Sequence, residues 1–124
     1  MRIPPRGAAL HEIVQERASR DAAFVGALLG EAVELMLNGE LAAARSLIRD
    51  AIKGSIGYAE LSRRTGTPEK SLVRMFGPSG NPTVANVSGV LRELQRHSRV
   101  RLRVRAERTI GGRARARTSR AAAT

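Results

Sequence analysis

The chain contains no cysteine, which excludes disulfide cross-links, cysteine-ligated zinc and thiol chemistry. Aromatic residues are almost missing: Phe24, Tyr58 and Phe76 are the whole set. Histidine occurs only as His11 and His97, with no aspartate or cysteine at ligand spacing, so no metal site is expected. No apolar run approaches the ~18 residues of a membrane span. Arg2 and Arg6 are not followed by an apolar segment, so no secretory signal is expected, and the expected compartment is the cytoplasm. Catalytic groupings are missing too. Ser79-Gly80 has no histidine and acid to complete a nucleophile elbow, and Gly111-Gly112 is not followed by the lysine of a phosphate loop. Neither an enzyme nor a cofactor is expected.

What is present is 124 residues, 42% of them apolar, with 19 alanines among these. That fits one small domain with a thin helical core of Leu, Ile, Val and Met. Charge is distributed unevenly. Residues 1–95 carry 12 basic and 10 acidic side chains, whereas residues 96–124 carry ten arginines and Glu107 alone. A near-neutral body with a cationic end points to a polyanion, nucleic acid first; a merely solubilising end is the alternative.

Periodicity divides the chain into short helices. Residues 1–7, with Pro4 and Pro5, read as a loose arm. Residues 8–18 read as a short helix with Leu10, Ile13, Val14 and Arg17 at helical spacing. Asp21 is a good N-cap for the apolar series Phe24, Val25, Leu28, Leu29, Ala32, Val33, Met36 and Leu37, which Asn38-Gly39 ends. A third helix covers about 40–53, with Leu41, Ala44, Leu47, Ile48, Ala51 and Ile52 inward and Gly54 closing it. Two short helices, about 56–64 and 68–76, flank Thr65-Gly66-Thr67, where Thr67 before Pro68 reads as a helix start. Residues 77–82 are a loop. Thr83 caps a helix to about Gln95, with Val84, Val87, Val90, Leu91 and Leu94 inward. Val100, Leu102 and Val104 then alternate with Arg99, Arg101, Arg103 and Arg105, which is the period of a strand. From Ala106 no periodicity remains, and disorder is expected. The fold class is therefore all-α, a five- to six-helix bundle with one short C-terminal β-strand. It divides into an arm and short helix (1–19), a main helical domain (20–105) and a basic tail (106–124).

Residues 58–76 have the layout of a helix-turn-helix. Leu61, Leu72 and Met75 supply a shared apolar contact, and Ser62 is small enough for close approach. Gly66 sits where a positive φ is required. The second helix then enters the major groove, presenting Glu69, Lys70, Ser71 and Arg74. A lone strand leaves its backbone groups unpaired. Val100, Leu102 and Val104 are therefore expected to pair with their copies in a homodimer. Glu31, Glu34 and Glu40 read as a solvated face paired with nearby arginines.

The run Tyr58-Ala59-Glu60-Leu61-Ser62-Arg63-Arg64-Thr65-Gly66, then Lys70-Ser71-Leu72, Arg74-Met75-Phe76 and Gly80-Asn81-Pro82-Thr83, resembles the addiction-module antidote family. These are helix-turn-helix antitoxins and transcriptional regulators of the phage-repressor type. The resemblance covers roughly residues 20–105. It implies repression through binding of double-stranded operator DNA, often as a dimer, and partnership with a small RelE-type toxin. By match, residues 67–74, including Thr67, read DNA, and Ser79, Asn81 and Thr83 lie near phosphates. Arg63, Arg64, Arg113, Arg115, Arg117 and Arg120 are the expected sequence-independent phosphate contacts. Thr67 departs from the family, where that position is commonly apolar, and the arginine-rich end after Arg105 lies outside its pattern. Two other functions stay open: an antidote acting mainly by binding a toxin, and an RNA-binding basic protein without sequence preference. No membrane partner is expected.

Overall fold

A computed structural model describes residues 6–110. The expected arm residues 1–5 and the tail arginines Arg113, Arg115, Arg117 and Arg120 lie outside the described residues. Six helices follow in order: α1 (Arg6–Ala18), α2 (Ala22–Leu37), α3 (Leu41–Gly54), α4 (Tyr58–Thr65), α5 (Glu69–Met75) and α6 (Val84–Ser98). The fold is all-α. Residues 100–109 carry neither helix nor strand in the single chain. None of the described helices is long and apolar enough to cross a membrane.

The ends of α2 follow from its sequence. The Asp21 carboxyl group accepts the Phe24 N–H at 3.2 Å and is held by Arg17 Nε at 3.1 Å. At the other end Gly39 takes φ +80°, and the Glu40 N–H turns back to the Leu35 carbonyl at 2.8 Å, which satisfies carbonyls the helix leaves open. α3 folds back on α2 through this turn, and Val25, Leu28, Leu29 and Ala32 meet Ile48, Ala51 and Ile52 in the core. Leu61, Leu72, Phe76, Val90 and Leu94 complete it from α4, α5, the end of α5 and α6.

Several expected faces and ends differ. α1 turns Leu10 and Ile13 to solvent and directs Val14 and Ala18 at the core. His11 and Gln15 share that inner side, because α3 carries a buried Asp50 that takes both polar groups. Gly54 does not end α3 from outside. It is the helix's last residue, and a Cβ there would sit 2.7 Å from Ala18 Cβ and from the Gln15 carbonyl oxygen. Its role is close passage of α1. Leu41 and Val84, expected inward, are exposed, since each is the first residue of its helix and overhangs the core. α4 starts at Tyr58 rather than Ile56, because Gly57, at φ 80° and ψ 155°, interrupts the chain while its N–H bonds the Ile52 carbonyl. α6 runs on to Ser98 and stops where Arg99 adopts the left-handed conformation, φ 57° and ψ 41°.

Candidate nucleic-acid interface

α4 and α5 meet across residues 66–68. Gly66 sits at φ +78°, and its N–H bonds the Ser62 carbonyl at 2.9 Å. Ser62 does more than leave room: its hydroxyl donates to the Thr67 carbonyl at 2.6 Å. Thr65 Oγ1 accepts the Thr67 N–H at 3.2 Å. Thr67 is therefore held by its main chain, and the Thr67 hydroxyl cap expected from the sequence, with Pro68 as first helical residue, is not formed. The N-cap is Pro68, at ψ 142°, with no side-chain cap. The restriction that proline places on the residue before it keeps Thr67 out of the helix. Leu61 and Leu72 are buried between the two helices, and Met75 is partly buried with them.

This corner leaves one side of α5 open to solvent. Glu69, Lys70 and Arg74 are exposed there, while Ser71 is half-buried. The side chain missing from the sequence-based set is Val73. It is 47% exposed and lines a shallow groove with Pro68, Glu69, Lys70 and Arg74. Its placement was readable: with Leu72, Met75 and Phe76 inward, helical spacing turns 69, 70, 73 and 74 outward together. An apolar side chain between two cations suits a thymine methyl group flanked by guanine edges or phosphates.

The far end of α5 is held by arginines of α3. Arg49 Nη1 donates to the Phe76 carbonyl at 3.3 Å, Arg45 Nε to Gly77 at 3.3 Å and Arg45 Nη2 to Pro78 at 3.1 Å. These cations satisfy carbonyls at and beyond the helix end. The loop then brings Ser79, Asn81 and Thr83, all exposed, beside the base of α5. Thr83 Oγ1 accepts the Asn86 N–H at 3.1 Å and caps α6 as expected.

Arg63 and Arg64 are exposed, and both donate to Glu60, Arg63 Nε at 3.0 Å and Arg64 Nε at 2.9 Å. The Arg63 bonds, then those of Arg64, hold the Glu60 carboxyl group down at about 2. This pairing is complete above pH about 4.5 and is lost as pH falls toward 2. Any phosphate that Arg63 and Arg64 meet also meets Glu60. Arg64 further approaches Glu93 of α6 at 4.0 Å. Beside the corner, burial pushes the Tyr58 hydroxyl above its ordinary value. Its oxygen is buried and has no hydrogen-bond partner among the described residues. Among the described residues no three metal-ligating side chains converge. No family model, curated protein or solved structure matches this chain.

The Gly66 conformation yields an early test. A Cβ at Gly66 meets nothing within 4 Å, so any penalty comes from φ alone. Gly66→Val is expected to lose about 1–2 kcal/mol, while Gly66→Asn loses much less. Thermal melts of the two variants check this, and equal melting curves would remove the conformational requirement.

Proposed function

We propose that the protein is a sequence-specific DNA-binding regulator, a repressor of the antitoxin type, that reads the major groove with α5. The observation that carries this reading is the α4–α5 corner itself. Its three-residue turn has glycine at positive φ, its inner contacts are buried, and Lys70, Val73 and Arg74 share one exposed side. Short helices fixed in this way suit insertion into a groove of about 12 Å. Glu69 and Ser71 complete the candidate reading surface. Ser79, Asn81 and Thr83 supply contacts to the flanking phosphates.

The test compares DNA from upstream of the protein's own gene with random duplex in binding titrations. Arg74→Ala is expected to cost about 1–3 kcal/mol on the specific site and to relax one base position. Unchanged affinity for both duplexes would displace the reading helix from α5.

A homodimer through residues 100–104 belongs to the same proposal. Val100 lies over Gly26, and Leu102 packs on the core. Val104, 75% exposed, is left for a partner. The Val100 N–H bonds the Gln95 carbonyl at 3.0 Å, and the Leu102 N–H bonds Gln95 Oε1 at 2.9 Å. The backbone of 101, 103 and 105 then remains for a second copy. Antiparallel pairing sets arginines beside arginines, so the dimer is expected to tighten as salt screens them. Light scattering across a salt series checks this; a monomer mass throughout refutes it.

A second reading, an antidote acting mainly by binding a protein toxin, is favoured by Leu10, Ile13, Leu37 and Leu41, which stay exposed. Purification of the chain with a neighbouring toxin, and loss of that complex in Ile13→Asp, separates it from the first.

A further inference from the structure

A second cationic feature lies at the other end of α6. Arg92, Gln95, Arg96, Arg99, Val100 and Arg101 line an open cleft. Among the described residues the carboxylate paired with a cleft arginine is Glu93, whose side chain is 14% exposed and is shared between Arg64 at 4.0 Å and Arg96 at 3.7 Å. Arg92, Arg99 and Arg101 form no ion pair among the described residues. The carbonyls at a helix C-terminus attract a cation or two in the last turn; four guanidinium groups exceed that role.

The wall of the cleft is built rather than loose. Arg99 stands in the left-handed conformation with its N–H on the Arg96 and Gln95 carbonyls. Gln95 anchors both Val100 and Leu102, and Val100 is seated on Gly26 of α2. The Gln95 side chain is held at both amide atoms, since Nε2 donates to the Leu91 carbonyl at 3.1 Å while Oε1 accepts from the Leu102 N–H. No aromatic ring lines the cleft. What remains is a set of planar forks suited to oxyanions. The cleft is also separate from α5: α6 has 15 residues, a length of about 22 Å at ~1.5 Å per residue, and the loop bearing Ser79 and Asn81 lies at its opposite end.

We propose that this cleft holds backbone phosphates of double-stranded DNA, a contact blind to sequence and distinct from the α5 surface. It rests on DNA being the partner, but not on α5 reading it. Each phosphate neutralised contributes about 0.9 to the slope of log affinity against log salt.

The test uses the full chain and a random-sequence duplex, titrated over a series of salt concentrations. Arg92→Gln with Arg101→Gln avoids the left-handed position and the Glu93 pair, and is expected to flatten the slope by about 1.8. Arg99→Asn, which keeps a residue tolerant of positive φ, is expected to flatten it by a further 0.9 or so. Circular dichroism verifies that each variant is folded. Removing two cations elsewhere, Arg20→Gln with Lys53→Gln, is expected to change the slope clearly less. An unchanged slope in the cleft pair, the result also expected if the cleft takes an acidic protein segment, overturns the proposal. So does an equal fall in the control pair. Lys70→Ala with Arg74→Ala separates the two ideas. If it leaves the preference for specific over random DNA intact while the cleft pair flattens the slope, the α5 reading fails and the cleft stands.

Discussion

Gly80→Ala is expected to destabilise the protein by about 3 kcal/mol or more, the upper end for a forced overlap. A Cβ at Gly80 would lie 1.9 Å from the Met75 carbonyl oxygen, 2.4 Å from its carbon and 2.5 Å from the Arg74 carbonyl oxygen. All three atoms are backbone of the last turn of α5, so no side chain can rotate away. The Gly80 N–H bonds the Gly77 carbonyl at 3.0 Å, and Arg45 and Arg49 pin the Phe76, Gly77 and Pro78 carbonyls where the turn begins. Moving the loop to admit a methyl group therefore breaks bonds at the end of α5 and within the turn itself. Gly30 and Gly89, on helices with nothing within 4 Å of a Cβ, give the contrast. Alanine there is expected to stabilise by about 0.5–1 kcal/mol through helix propensity and a less flexible unfolded chain. Denaturant unfolding of the three variants measures the difference in sign. A Gly80→Ala protein within about 0.5 kcal/mol of wild type, the ordinary scatter of harmless substitutions, would mean the loop is not held as described. Because this loop sets where α5 ends, the proposed reading of DNA by α5 predicts weakened specific binding alongside the lost stability.

The features legible in the sequence are those whose causes lie within a few residues. Asp21 and Thr83 cap helices through bonds three residues away. Gly39 and Gly66 take the positive φ that their positions after a helix require. The outward set Glu69, Lys70 and Arg74 follows from helical period alone. The illegible features have distant partners. Arg45 and Arg49 look like ordinary surface cations of an amphipathic helix, yet they act on carbonyls about 30 residues ahead. Gly80 reads as loop composition; only the approach of α5 explains why nothing larger fits. The inner face of α1 fails most instructively. A rule that turns apolar residues inward selects Leu10 and Ile13, but the partner of that face is the carboxyl group of Asp50, 39 residues from His11 and 35 from Gln15.

That buried carboxyl group supports the second large effect. Asp50 is 2% exposed; His11 Nδ1 lies 2.6 Å from its Oδ2, and Gln15 Nε2 donates to its Oδ1 at 2.7 Å. Removing both partners, in His11→Ala with Gln15→Ala, is expected to lose about 2–5 kcal/mol. The acceptor then stays buried with neither water nor these donors. Each single substitution is expected to cost about 1–3 kcal/mol. Replacing all three by apolar side chains, His11→Leu, Gln15→Leu and Asp50→Leu, is expected to regain most of the loss, since no polar group is left stranded. Equilibrium unfolding measures the series, and amide exchange along α1 shows whether the loss is local detachment of that helix. A double variant as stable as wild type would mean that Asp50 finds other donors. Asp50 adjoins Arg49, which holds the end of α5 through the Phe76 carbonyl. α1 therefore reaches the proposed DNA-reading helix through a single residue step in α3. If that step transmits, the double variant at temperatures where it remains folded binds specific DNA more weakly, while Leu10→Ala, on the exposed side of α1, does not.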